Sequence, residues 1–134
     1  MESKLKEGET LFADGNIEEA EKCFLAVIEN DSDNKVAYNN LGVIATEKMD
    51  VKGANEYFIK SLEIDPFYKK AVVNYTDLLK ALDLQQTAIP LLEKFIEIDP
   101  EDTEIKELLE DISSGLKPEQ KSHKVVLSEN EILN

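Results

Sequence analysis

The chain contains no arginine: all 15 of its basic residues are lysines, set against 29 acids, for a formal net charge of −14. That absence removes the side chain best shaped for bidentate recognition of phosphate or carboxylate. The acidic excess repels a phosphate backbone, which argues against a nucleic-acid partner and disfavours anionic membrane surfaces. Cysteine is nearly absent as well. Cys23 stands alone, so no intramolecular disulfide can form and a reducing compartment is favoured. It lies beside Phe24 in a predicted helix and reads as a small core residue. His123 is the single histidine. No glycine-rich phosphate loop, Cys/His metal spacing or nucleophile elbow occurs, so neither catalysis nor a cofactor or metal is expected. Long apolar runs are missing too. The longest, Phe24–Ile28, is far too short to cross a bilayer, and the charged start has no stretch suited to a signal peptide. No membrane insertion and a cytoplasmic location are the expectations.

What the sequence does contain is a 34-residue self-similarity. Gly8 recurs as Gly42, Asp65-Pro66 as Asp99-Pro100, and Ala20, Ala54 and Ala88 share one phase. Phe24, Phe58 and Leu92 follow four residues after those alanines. A fixed period of this length predicts stacked copies of one helix-turn-helix unit, hence an all-α, right-handed superhelical solenoid. Apolar spacing of three and four, with turn residues between, predicts helices over 2–14 and 18–30, 36–48 and 52–64, and 70–82 and 86–98. Gly15 tolerates the positive φ of a helix end. Pro66 ends the second unit, because proline disfavours helical geometry in the residue before it. Pro90 falls near a first turn, where its missing N–H costs little. Thr103 is expected to cap a last helix over 103–114, polar on most sides, with Ile105, Leu108, Leu109 and Ile112 as its apolar stripe.

These units resemble the tetratricopeptide repeat. The middle one carries Leu41, Gly42, Ala45, Ala54, Phe58, Ser61 and Pro66 at the family's signature positions. The first carries Gly8, Leu11, Ala20, Phe24 and Val27, with Ser32 in place of proline. The third carries Tyr75, Thr76, Leu79, Ala88, Leu92, Phe95 and Pro100. The expected organisation is a repeat domain over 1–115, with repeats at 1–34, 35–68 and 69–102 and a capping helix at 103–115, followed by a tail at 116–134. Gly8 and Gly42 would let the second helix of a unit approach the first closely, and Ala20, Ala54 and Ala88 do the same from the facing side.

If Tyr38, Leu41 and Ala45 point into the stack, helix geometry places a different stripe on a concave groove. In the middle unit that stripe is Val36, Asn39, Asn40, Val43, Thr46 and Glu47. In the first it is Glu2, Leu5, Lys6, Glu9, Phe12 and Ala13, and in the third Lys70, Val73, Asn74, Asp77, Lys80 and Ala81. Asn40 and Asn74 are 34 apart, and a carboxamide can pair with the C=O and N–H of one peptide unit together. The resemblance implies that such asparagines form a ladder holding an extended backbone. Leu5, Phe12, Val36, Val43 and Val73 would supply apolar pockets between the rungs. The family's two-carboxylate clamp for chaperone tails is matched only at Asn40 and Lys70; Leu5, Glu9 and Asn74 depart from it, and Glu9 would repel a carboxylate.

The function expected is therefore a non-catalytic interaction scaffold for an extended or short helical segment of a partner protein. Acids along the stripe favour a neutral or basic segment. A homo-oligomerising self-assembly module is the alternative. In the tail, Val125, Val126, Leu127, Ile132 and Leu133 are expected to dock on an apolar surface. Ser128 to Glu131 has the spacing of a capping box, a helix start that suggests a fragment of a longer protein.

Overall fold

A computed structural model of the chain describes residues 3–115. Expectations for Glu2, His123 and the tail 116–134 fall outside the described residues. Among those described there are seven α-helices and no strand. They are α1 (Lys4–Ala13), α2 (Ile17–Asn30), α3 (Lys35–Glu47), α4 (Val51–Ile64), α5 (Lys69–Ala81), α6 (Ile89–Ile98) and α7 (Thr103–Ser114), with a 3-10 turn over Gln85–Ala88 leading into α6. Moving α3 along by 34 residues gives the bounds of α5, and moving α2 by the same step gives α4. The class is all-α, built of helix-turn-helix repeats.

The first helix of each pair ends in the same way. Asn16 N–H reaches back to the Leu11 carbonyl at 2.8 Å, Asp50 to Ala45 at 2.8 Å, and Leu84 to Leu79 at 2.7 Å. The preceding residues, Gly15, Met49 and Asp83, have φ of 87°, 62° and 60°. This is the left-handed stop in which one residue reverses the chain and satisfies the last carbonyls. Only the first copy uses glycine. Met49 and Asp83 hold the same backbone at a steric cost of about 1–2 kcal/mol each.

The chain divides into two compact units between Asp65 and Pro66. In the first, α1 packs on α2, α2 on α3 and α3 on α4. Its core is Ala20, Phe24, Val27, Ala37, Leu41 and Ile44, with Leu5, Leu11, Phe12, Ile17, Ile28 and Tyr57 packed partly buried against them. The glycines act here through closeness. A Cβ on Gly8 would lie 2.7 Å from the Phe24 ring, and one on Gly42 would lie 2.6 Å from the Phe58 ring. Tyr38 is only half-buried, its ring centroid 6.4 Å from that of Tyr57.

In the second unit α5 packs on the 3-10 turn and α6 on α7. The interior residues include Val72, Tyr75, Leu79, Leu92 and Ile105, each fully enclosed. Pro90 explains why the helix expected over 86–98 is divided. A helix begun at Gln85 would need the missing N–H of Pro90 to bond Gln86, so the chain makes a 3-10 turn first and restarts with Pro90 in the first turn of α6. A second correction concerns the start of α7. Asp102, not Thr103, is the cap, its Oδ1 accepting the Ile105 N–H at 3.1 Å. Asp102 falls 34 residues after Tyr68 and 68 after Asn34, each the residue before a first helix. A carboxylate at that place outranks the hydroxyl one position later because it also meets the helix dipole.

Candidate protein-interaction site

The stripe of interest in the first unit runs along α3, which is held firmly from behind. Asn34 Oδ1 accepts the Ala37 N–H at 2.9 Å and caps the helix. Ser61 Oγ donates to the Lys35 carbonyl at 2.9 Å, tying the first turn of α3 to α4, and Lys35 pairs with Asp65. Ala37, Leu41, Ile44 and Ala45 are buried, at 4% exposure or less. Val36, Asn40, Val43 and Glu47, spaced by four, three and four, then share the neighbouring stripe, about a third of a turn round the helix. Val36, Asn40 and Val43 are half-buried and Glu47 is exposed.

Asn40 carries the most telling chemistry. Its side-chain nitrogen is buried from solvent and has no hydrogen-bond acceptor. An amide donor left without an acceptor costs about 1–3 kcal/mol, so an incoming carbonyl that reached it would recover that cost. Nothing in the sequence could have shown this, since the register alone does not say whether the amide is already satisfied. Asn39 requires a correction. It is 3% exposed and belongs to the interior. One residue along a helix is a rotation of about 100°, which carries Asn39 off the half-buried stripe of Asn40.

On α1, Leu5, Glu9 and Phe12 follow the same spacing. Leu5 and Phe12 are half-buried and pack against the core, so their role is divided between interior and surface. Glu9 and Lys6 are exposed. In the second unit, the corresponding face of α5 has Lys70 and Asp77 exposed, with Val73 and Asn74 half-buried.

Ionisation is displaced chiefly where groups are buried or paired. Burial pushes up the Cys23 thiol and the Tyr57 and Tyr75 phenols. The Glu21 carboxylate, at 2.8 Å, raises Lys48. Asp102 and Glu104, each at 2.9 Å, raise Lys69, which in turn holds the Asp102 carboxyl below its usual range. These pairs stitch helices together. Among the described residues, no group of three or more His, Cys, Asp or Glu side chains is placed to hold a metal ion, and no helix is long and apolar enough to cross a membrane. Surface hollows occur in the second unit. One of 380 Å³ is lined by Lys69, Asp99, Glu101, Asp102, Thr103 and Glu104, and one of 540 Å³ by Glu107, Glu110, Asp111 and Ser114.

Residues 2–34 and 36–68 each match the tetratricopeptide repeat. Together with helical pairs in one register and close-approach glycines in phase, this means that the chain belongs to the tetratricopeptide repeat family. Proteins of this family mediate protein–protein interaction and are typically non-catalytic scaffolds. No curated protein matches the sequence.

Proposed function

We propose that the protein is a non-catalytic scaffold whose first-helix faces bind an extended or short helical segment of a partner protein, neutral or basic in character, in the cytoplasm. The observation that carries this reading is the buried, acceptorless amide nitrogen of Asn40 between half-buried Val36 and Val43. A polypeptide supplies what that arrangement lacks. Its side chains cover the two valines, and its carbonyl oxygen meets Asn40 Nδ2 once that side chain turns outward. Leu5, Glu9 and Phe12 on α1 extend the surface within the first unit. Lys70, Val73, Asn74 and Asp77 offer the same register on α5 in the second. Along the described stripes Glu9, Glu47 and Asp77 balance Lys6, Lys70 and Lys80, so the preference for a positive segment rests on the chain's net charge of −14, and it predicts weaker binding as salt is raised.

The test is calorimetric titration of a peptide library, grouped by net charge, against the wild-type protein and the Asn40→Ala/Asn74→Ala variant. Basic or neutral peptides should bind better than acidic ones of equal length. The double variant should bind about 10- to 100-fold more weakly, at roughly 0.5–1.5 kcal/mol for each lost pairing, with its melting temperature nearly unchanged. Equal binding by the variant, or preference for acidic peptides, overturns the reading. A mass that rises with concentration and no peptide binding would point to self-assembly instead.

A further inference from the structure

The repeat is left open at its last helix. α3 is packed by α2 on one side and by α4 on the other. α7 has α6 and the 3-10 turn in the place of α2, and among the described residues no helix stands where α4 would be. The matching residues differ in burial accordingly. Leu41 and Tyr75 are 1% and 0% exposed, and Ala45 and Leu79 are 4% and 0%. Leu109 and Ser113, 34 residues after Tyr75 and Leu79, are only half-buried. Glu110 is exposed beside Leu109 and lines the 540 Å³ hollow on this helix.

Residues 119–127 fall in the next register of second helices, 34 after Gln85 to Glu93. Ser122 follows Ala20, Ala54 and Ala88, and Val126 follows Phe24, Phe58 and Leu92, all of them enclosed. Sizes across the contact also match. Gly8 and Gly42 lie against Phe24 and Phe58, Thr76 is in register with the smaller Leu92, and Glu110 with the still smaller Val126. The outward phases hold Gln120, Lys121, His123 and Lys124, as a helix with water beyond it requires. Pro118 takes the place of Asn16 and Asp50 at the entry to a second helix, where a missing N–H costs little. Three lysines and one acid between Lys117 and Leu127 meet four acids and one lysine on α7, so charge draws the two together. The register fades at Glu129 and Asn130, which fall where Phe95 and Ile96 stand in the third unit.

We propose that residues 119–127 dock back on α7 as its second helix, Val125 and Val126 covering Leu109 and the stem of Glu110, so that the chain closes its own last repeat. Nine residues are too few to hold a helix alone, being shorter than the roughly 12–15 that are marginal in water. Order in this segment therefore depends on contact with α7. The faces of α3 and α5 proposed above take no part, so this inference stands or falls without them.

The test is amide hydrogen exchange of the intact protein, with the free peptide 116–134 as the unprotected reference, and methyl cross-relaxation to read the contact. Exchange over 119–127 should be at least about tenfold slower in the protein than in the peptide, and the Val126 methyls should show contacts to Leu109. Val126→Asp should remove both signals. Leu127→Asp should leave both, because Leu127 falls on the phase of the exposed Leu25 and Glu93. Both changes lie beyond the packed core, and unchanged exchange in α1 to α6 verifies that the repeats stay folded. No protection over the free peptide, equal loss in both variants, or contacts from Val126 to Val36, Val43 or Val73 in place of Leu109 would overturn the proposal. So would protection that rises with protein concentration, which would mean docking on a second copy.

Discussion

Substituting Gly42 by alanine tests the packing of the first unit, and the structure allows the size of the effect to be worked out. The new Cβ would stand 2.6 Å from both Cδ1 and Cε1 of Phe58 and 2.9 Å from Cζ. The ring is 1% exposed, so it has no free space to swing into. Overpacking of this kind costs about 1–3 kcal/mol, offset by the roughly 1 kcal/mol that alanine gains over glycine within a helix. A net loss of up to about 2 kcal/mol is expected. Phe58→Leu alone should cost about 1.5 kcal/mol through the space it leaves. Combined, the two changes remove the clash and keep the helix-propensity gain, so the double variant should be no less stable than Phe58→Leu. The coupling should then be on the order of 2 kcal/mol, far outside the scatter expected of independent sites. Urea unfolding of the four proteins, followed by helical circular dichroism, measures the cycle. Additive losses would refute the reasoning. The second unit carries this swap already, with Thr76 in the glycine register and Leu92 in the phenylalanine register, both fully buried.

Two further outcomes follow from helix ends. Met49→Gly should stabilise the protein by about 0.5–1 kcal/mol, because relief of the left-handed strain exceeds the added freedom of the unfolded chain; a loss in the same urea assay would contradict the φ of 62°. Asp102 has its carboxyl lowered by Lys69 and by the Ile105 N–H, so its stabilisation of α7 is complete above the ordinary aspartate value near pH 4 and is lost as pH falls through the lower folded value. The Ile105 amide resonance should move with that titration and be silent in Asp102→Asn, which keeps a cap but not a charge; a wild-type resonance that stays fixed from about pH 5 to pH 2 would refute the pairing.

Much of the fold was legible because the repeat makes each element report on the others. Ala20, Ala54 and Ala88 share a phase and are all fully buried. The helix bounds recur at the same interval. Pro90 was legible as an irregularity, but its consequence depended on whether the chain could make a 3-10 turn at Gln85. The cap of α7 was misplaced by one residue. Hydroxyl and carboxylate both cap helices; the carboxylate one residue earlier also meets the helix dipole and pairs with Lys69, 33 residues before it. The candidate site was legible in outline. Val36, Asn40 and Val43 stand together on α3, whereas Asn39 is interior and Leu5 and Phe12 are divided between core and surface.

By itself the sequence determined the period, the helical class, the residues that must be small and the sign of the charge, since these follow from spacing and composition along one chain. Tertiary structure decided everything that depends on what lies opposite a residue. Phe58 makes any side chain at Gly42 costly, yet it sits 16 positions away in the next helix. Asn40 and Gln85 each keep an unanswered polar atom because the neighbouring helices exclude water without supplying a partner. Periodicity tells which face a side chain takes; only packing tells whether that face already holds what the side chain needs.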